Sequence, residues 1–416
     1  MNLVPFHRFK LLLLFLLLMP VCSYSLGVLT HEAIIDAEWN NTILPFLKYK
    51  YPASTDSEFT EARAYAYGGA VTPDMGYYPF GSRLFTNLVH YVRSGDINEA
   101  LLKDADSLNG LAFALGFLSH YYADVDGHPL ATNISVPLVY KRMKRKFGDT
   151  VTYADNNISH IRMEFGFDVL QVAKGNYASK SYHDFIGFKV DTGLLAKAFY
   201  ETYGLSLDDV FNHHLKLSVE TFRFIIANVF PGITKTAWAS KNKKYFAADS
   251  TTTSKRFRYK MHIKQYNKDF GTGYKRPGFF AAGFSIMIKV MPKVGPLRAL
   301  HFKVPNAQTE KYFDESFDTI TVHYTNTVKH FTIVKNLKDK DYDTGDPTQK
   351  CEYSLADETY NKWLLELNDE QFKSITPSIK NNIIQFYKQA PSPPQGKRYK
   401  ECDEVYQALQ KVKQLN

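Results

Sequence analysis

His120-Tyr121-Tyr122-Ala123-Asp124-Val125-Asp126-Gly127-His128 decides the reading of this chain. His120 and Asp124 stand four residues apart, a spacing that places an imidazole and a carboxylate side by side on one helix face. His128 follows one turn later. The preceding run, Leu111 to Tyr122, is almost wholly apolar apart from Gly116, Ser119 and His120, and reads as a buried helix continuing towards Asp124. Titratable groups inside such a helix are costly to bury unless they are paired or bound to a cation. One His/Asp pair alone is most simply a satisfied core histidine. The arrangement recurs, however, in His160-Ile161-Arg162-Met163-Glu164, on a second helix expected from Ile158 to Val172. Two such pairs and a third imidazole offer borderline nitrogen and hard oxygen donors, the mixture that zinc prefers.

Three further residues suit the same site. His31 lies in Leu26-Gly27-Val28-Leu29-Thr30-His31, with Thr30 as a candidate N-cap of the helix that follows. Gly69-Ala70-Val71-Thr72-Pro73-Asp74 delivers a carboxylate from a turn, where an isolated Asp would simply cap a helix. His90 sits in Leu88-Val89-His90-Tyr91, where an isolated His would be a core residue donating to a carbonyl. Asp126 reads as a solvated helix-end residue or an outer partner of the centre, and His213 and His214 as structural.

Elsewhere the periodicity is helical. Leu215 to Val229, Leu355 to Leu367, Asp369 to Lys373, Ser378 to Gln389 and Lys400 to Val412 are expected helices. Phe313, Phe317, Ile320, Tyr324 and Val328 keep three- and four-residue steps despite a Thr-rich, β-leaning composition. Alternation with period two is scarce, so the expected fold class is all-α.

The first residues read as a targeting signal: Arg8 and Lys10, an apolar run from Leu11 to Leu18, then Ser23-Tyr24-Ser25 as a small-residue cleavage site. That assigns 1–25 to a signal peptide and export to the mature chain from Leu26. Pro20-Val21 ahead of Cys22 argue against lipidation. The 416 residues, 44% apolar and 15% aromatic, exclude a disordered or collagen-like protein, and three Cys exclude a disulfide framework or a four-thiolate zinc ribbon. Cys351 and Cys402 would remain after cleavage, free to pair or to stay apart in an oxidising compartment. Positive charge is concentrated between Gly232 and Glu310, with 16 Lys/Arg against three acids. That block is either a solvated face or a contact for an anionic membrane surface. Within it, the apolar stretch Phe279 to Ile288 reads as a core helix or an interfacial one, and Thr234 to Gly278 as an irregular insert.

The order His, Asp, His, His-x3-Asp-x3-His, His-x3-Glu resembles the zinc-dependent phospholipase C superfamily, well over Leu26 to Leu170 and loosely to Pro231. The compact spacing up to His128 is most similar to the N-terminal domain of glycosylphosphatidylinositol-specific phospholipase D; in the related nucleases the last His falls two residues later. The resemblance implies a helical domain over 26–231, a basic, mainly helical extension over 232–416, and a cluster of three zinc ions. Asp74, His90, His120 and Asp124 would hold one ion, and His128, His160 and Glu164 a second. His31, a bridging Asp124 and the free amine and carbonyl of Leu26 would hold the third. Family members carry Trp-Gly-x-x-Gly-His at that terminus; here Leu26 and Thr30 replace the Trp and the second Gly.

The implied activity is hydrolysis of a phospholipid phosphodiester by metal-activated water, with Asp74 as base or water-orienting carboxylate. A secreted nuclease or nucleotidase on the same scaffold would need an aromatic clamp for a base, for which Tyr77, Tyr78 and Phe80 are candidates. A third reading is an envelope protein that keeps the zinc without catalysis.

Overall fold

Two glycines set the framework. Gly69, near the end of α2 (Asp56–Val71), sits against the Phe113 carbonyl of α4 (Leu108–Gly127), and Gly116 of α4 sits against the Ala66 carbonyl of α2. A Cβ at either position would overlap that backbone, so the two helices cross in direct main-chain contact. Around this pair lie α1 (Val28–Glu38), α3 (Arg83–Tyr91) and α5 (Tyr153–Lys174). Towards the C-terminus follow α6 (Ala307–Lys329), α7 (Ser354–Asp369), α8 (Pro377–Lys388) and α9 (Tyr399–Gln414).

The computed structural model describes residues 27–174, 176–177, 189–226, 301–330, 337–388 and 399–415. The expected leader over 1–25, Leu26, the Thr234–Gly278 segment and the Phe279–Ile288 stretch lie outside the described residues, as does the Cys402 side chain. Cys351 is exposed. Among the described residues the fold is all-α, with a lone antiparallel bridge between Lys340 and Pro347 and no helix long and apolar enough to cross a membrane.

Local chemistry explains the elements. A capping box starts α2: Thr55 accepts from the Glu58 amide, and Glu58 accepts from the Thr55 amide at 2.7 Å. The Thr-rich segment is indeed helical as α6, because Phe313, Phe317, Ile320, Tyr324 and Val328 are all buried and packing overrides propensity. One cluster joins the C-terminal helices to the N-terminal ones, since Trp363, Leu364, Ile379 and Ala408 pack into the same core as Phe85, Phe117 and Phe199, while Phe313, Phe317 and Ile320 of α6 pack with Ile34 and Phe167 in a second. The Trp363 indole donates to the Tyr203 carbonyl at 2.8 Å.

Two expectations need correction. Thr30 is not an N-cap: α1 starts at Val28, and Thr30 lies in its first turn. The cap comes instead from α5, where Asp168 accepts from the Leu29 amide (3.2 Å), the Thr30 amide (3.1 Å) and the Thr30 hydroxyl (2.8 Å). The expected helix from Asp369 to Lys373 does not form: Asp369 ends α7, and the residues from Glu370 to Lys373 make a turn, with Gln371 and Phe372 at positive φ (58° and 55°), which folds Phe372 back into the core behind α7.

Candidate metal centre

Asp124 is the hub. It lies with His120 on the inner face of α4, and both side chains are fully buried. Four imidazoles converge on its carboxylate: His120 Nε2 at 3.1 Å, His90 Nε2 at 3.5 Å, His31 Nε2 at 3.6 Å and His128 Nε2 at 3.8 Å. His31 comes from α1 and stacks on His120 with ring centroids 4.1 Å apart. His90 comes from the last turn of α3 and also reaches Asp74 Oδ1 at 3.5 Å. Asp74 itself sits in a 3-10 turn, Thr72–Tyr77, where Pro73 cannot continue the ladder of α2.

A second group adjoins the first. The backbone of α5 is broken at Asn156, whose extended conformation and side-chain cap on the Ser159 amide (2.9 Å) start the regular turns that carry His160 and Glu164. Glu164 Oε1 lies 2.8 Å from His160 Nε2 and 3.2 Å from His128 Nε2, and the His128 and His160 rings meet edge to face at 4.9 Å. His128 opens the π-helical turn that ends α4. All eight described residues of the expected site therefore converge: His31, Asp74, His90, His120, Asp124, His128, His160 and Glu164.

The outer nitrogens of three imidazoles are fixed by backbone. His90 Nδ1 bonds the Thr86 carbonyl at 2.8 Å, His120 Nδ1 the Ala70 carbonyl at 2.8 Å, and His128 Nδ1 the Tyr342 carbonyl at 3.1 Å. That leaves each Nε2 facing inward, the nitrogen a cation would take in place of a proton. The inward atoms are poorly satisfied by one another. His90 Nε2, His120 Nε2, both oxygens of Asp124 and of Glu164, and both His160 nitrogens are buried without an aligned hydrogen bond, although partners stand within contact distance. Each such orphan costs about 1–3 kcal/mol, and a cation among them would remove that cost. Nitrogen and carboxylate donors in this number fit zinc.

Burial and neighbouring charge compete at the centre. Burial works against ionising Asp124, but the His120 and His128 imidazoles overcome it and hold its carboxyl well below the usual range. Burial would lower His90, yet Asp124 and Asp74 outweigh it and push the imidazole up to about 9. His31 goes the other way, to about 3, because burial and the neighbouring His120 dominate.

Sequence reasoning missed Asp343. Its Oδ1 is 3.3 Å from His128 Nδ1, and His128, His160 and Asp343 each offer a donor atom within 4.8 Å of the others. Tyr342 beside it lays its ring 4.6 Å from His90 and 5.8 Å from His120. Of the aromatics considered as a clamp, Tyr77 meets His90 edge-on at 6.4 Å, Tyr78 is buried against Phe222, and Phe80 is exposed. Asp126 lies off the centre, bonded to His323 Nδ1 at 2.8 Å, and His213 is an exposed partner of Asp208.

Residues 23–213 match the family model described as zinc dependent phospholipase C. That match, over a little under half of the chain, supports the zinc-dependent phospholipase C superfamily. The matched stretch contains every converging residue from His31 to Glu164, and the match supports zinc-dependent phosphodiester hydrolysis as the class of chemistry. Asp343 lies beyond it. No curated protein and no solved structure matches the chain.

Proposed function

We propose that this protein is an exported phospholipase of the C or D type, which hydrolyses a phospholipid phosphodiester. The observation that carries the reading is that four imidazoles converge on Asp124, with Asp74 joined through His90 and the His160–Glu164 pair through His128, all inside the stretch that matches the family model. Asp74, His90, His120 and Asp124 would hold one zinc, and His128, His160 and Glu164 a second. His31 and Asp124, with the amine and carbonyl of residue 26, would hold a third. When bound, zinc supplies positive charge against the phosphodiester oxygens and acidifies a water molecule.

The chain's own groups do the rest. Asp124 draws the imidazoles into one cluster, and the Thr86, Ala70 and Tyr342 carbonyls hold three rings with Nε2 inward. Asp74 is the proposed water-orienting base. Burial alone would raise its carboxyl, but the His90 contact and the His120 charge hold it below the ordinary value, so it is ionised and can accept a hydrogen bond from a water molecule. Export is supported by the leader-like first 25 residues, and contact with an anionic membrane surface by the basic block between Gly232 and Glu310.

Release of diacylglycerol or headgroup from phosphatidylcholine vesicles, abolished by a chelator and restored by zinc, tests this. Nucleotide release from single-stranded DNA in place of lipid turnover would transfer the assignment to the nuclease branch. Stoichiometric zinc without either activity would leave an envelope protein that holds metal only.

A further inference from the structure

The segment 337–353 lies outside the family-matched residues yet is fastened to the centre from several sides. Asp339 accepts from the Gly95 and Asp96 amides at 2.9 and 3.2 Å, and the Tyr121 hydroxyl donates to the Lys338 carbonyl at 2.8 Å. The Tyr342 amide donates to the His90 carbonyl at 3.2 Å, and Asn133 donates to the Asp343 carbonyl at 2.7 Å. The Asp343 carboxylate is itself built into a seat: the Tyr91 and Tyr353 hydroxyls donate to Oδ2 at 2.7 and 2.5 Å, while Oδ1 faces His128 Nδ1 at 3.3 Å. Only 3% of Asp343 is exposed. A carboxylate buried to that depth costs several kcal/mol unless its partners compensate.

His128 is the point of contact with the metal ligands. Its Nε2 faces Glu164 and Asp124, the inner side, and its Nδ1 faces the Tyr342 carbonyl and the Asp343 carboxylate, the outer side. An acceptor on Nδ1 fixes the tautomer that leaves Nε2 free for a cation, and a carboxylate there also raises the basicity of the ring.

We propose that Tyr342 and Asp343 are positioning residues of the metal centre, clamping His128 through Nδ1, so that metal occupancy and docking of the segment 337–353 are coupled. The inference rests on the zinc reading above. Coupling of this kind is reciprocal: whatever the docked segment adds to metal affinity, the metal adds to the docking of the segment.

The test uses the full-length, zinc-loaded protein, its Asp343→Asn variant and a milder Tyr353→Phe variant that removes one hydroxyl from the same carboxylate. Zinc retention is measured by mass spectrometry against a graded chelator, and the visible spectrum of the cobalt-loaded protein reports the ligand field. Hydrogen exchange follows the 337–353 peptides with and without chelator. Asp343→Asn is expected to weaken retention of one zinc by about 10–100-fold, with Tyr353→Phe at the lower end, and both should shift the cobalt spectrum. Chelation of the wild type should speed exchange in 337–353 more than in α7. Wild type full of zinc, with both variants retaining it equally, unchanged cobalt spectra and exchange indifferent to chelator, would overturn this inference alone. A wild type that binds no zinc would overturn the metal reading, and this inference with it.

Discussion

Asp124→Asn isolates the hub of the centre with the least change of shape. The wild-type carboxylate touches four imidazoles between 3.1 and 3.8 Å and is wholly buried, so the variant removes one negative charge from a space where water cannot replace it. His90, whose imidazole is held up to about 9 by Asp124 and Asp74, then loses half of its carboxylate support. Breaking one member of a buried charge pair costs about 3–5 kcal/mol. At about 2 °C per kcal/mol, the low end for a large chain, the chelated variant should melt roughly 6–10 °C below the chelated wild type. With zinc present the gap should widen, because the bridging ligand that two ions would share is gone and bound metal stabilises only the folded state. Thermal scans with and without chelator, paired with zinc analysis, measure both effects. A variant with the wild-type melting temperature and full zinc would refute the hub.

Three other outcomes follow from the same geometry. Asp74→Asn should keep most of the zinc and lose turnover, whereas His128→Ala should lose one metal ion; zinc analysis beside vesicle hydrolysis separates them, and equal turnover by Asp74→Asn and wild type would remove Asp74 from the mechanism. Gly116→Val should destabilise the protein by about 3 kcal/mol or more by driving α2 off α4 at the Ala66 carbonyl, seen as an earlier urea transition. Burial raises Asp168 from 3.8 to about 7, so between those values the folded protein keeps a proton that the unfolded chain releases. Stability is then highest below pH about 4 from this group, and on the order of 4 kcal/mol is lost as pH rises to about 7. Chelated Asp168→Asn should show a flatter pH dependence across that window than chelated wild type; matching slopes would exclude Asp168 as the source.

What the sequence revealed, and what it hid, has a physical pattern. His120, Asp124 and His128, and likewise His160 and Glu164, are legible because helical spacing alone juxtaposes them, and because the pairing recurs on a second apolar helix where burying titratable groups is costly. Asp343 carries no such signal. It meets His128 across 215 residues, and in Asp339-Lys340-Asp341-Tyr342-Asp343 it looks like one charge in a solvated run. The α2 helix is quiet for another reason: beside Phe59, Tyr67 and Val71, much of what it buries is small, Ala62, Ala66, Gly69 and Ala70 among it, which permits close approach to α4 and is almost invisible to a hydrophobic pattern. The cap of α1 shows the same limit, since Asp168 supplies from α5 what Thr30 looked placed to supply locally.

Zinc-edge anomalous diffraction from crystals of the full-length, metal-loaded protein tests the central claim most directly. Peaks should fall in the space ringed by His31, Asp74, His90, His120 and Asp124, and in that between His128, His160 and Glu164. A map in which both spaces are empty of zinc, or in which the metal sits elsewhere on the chain, would contradict the account.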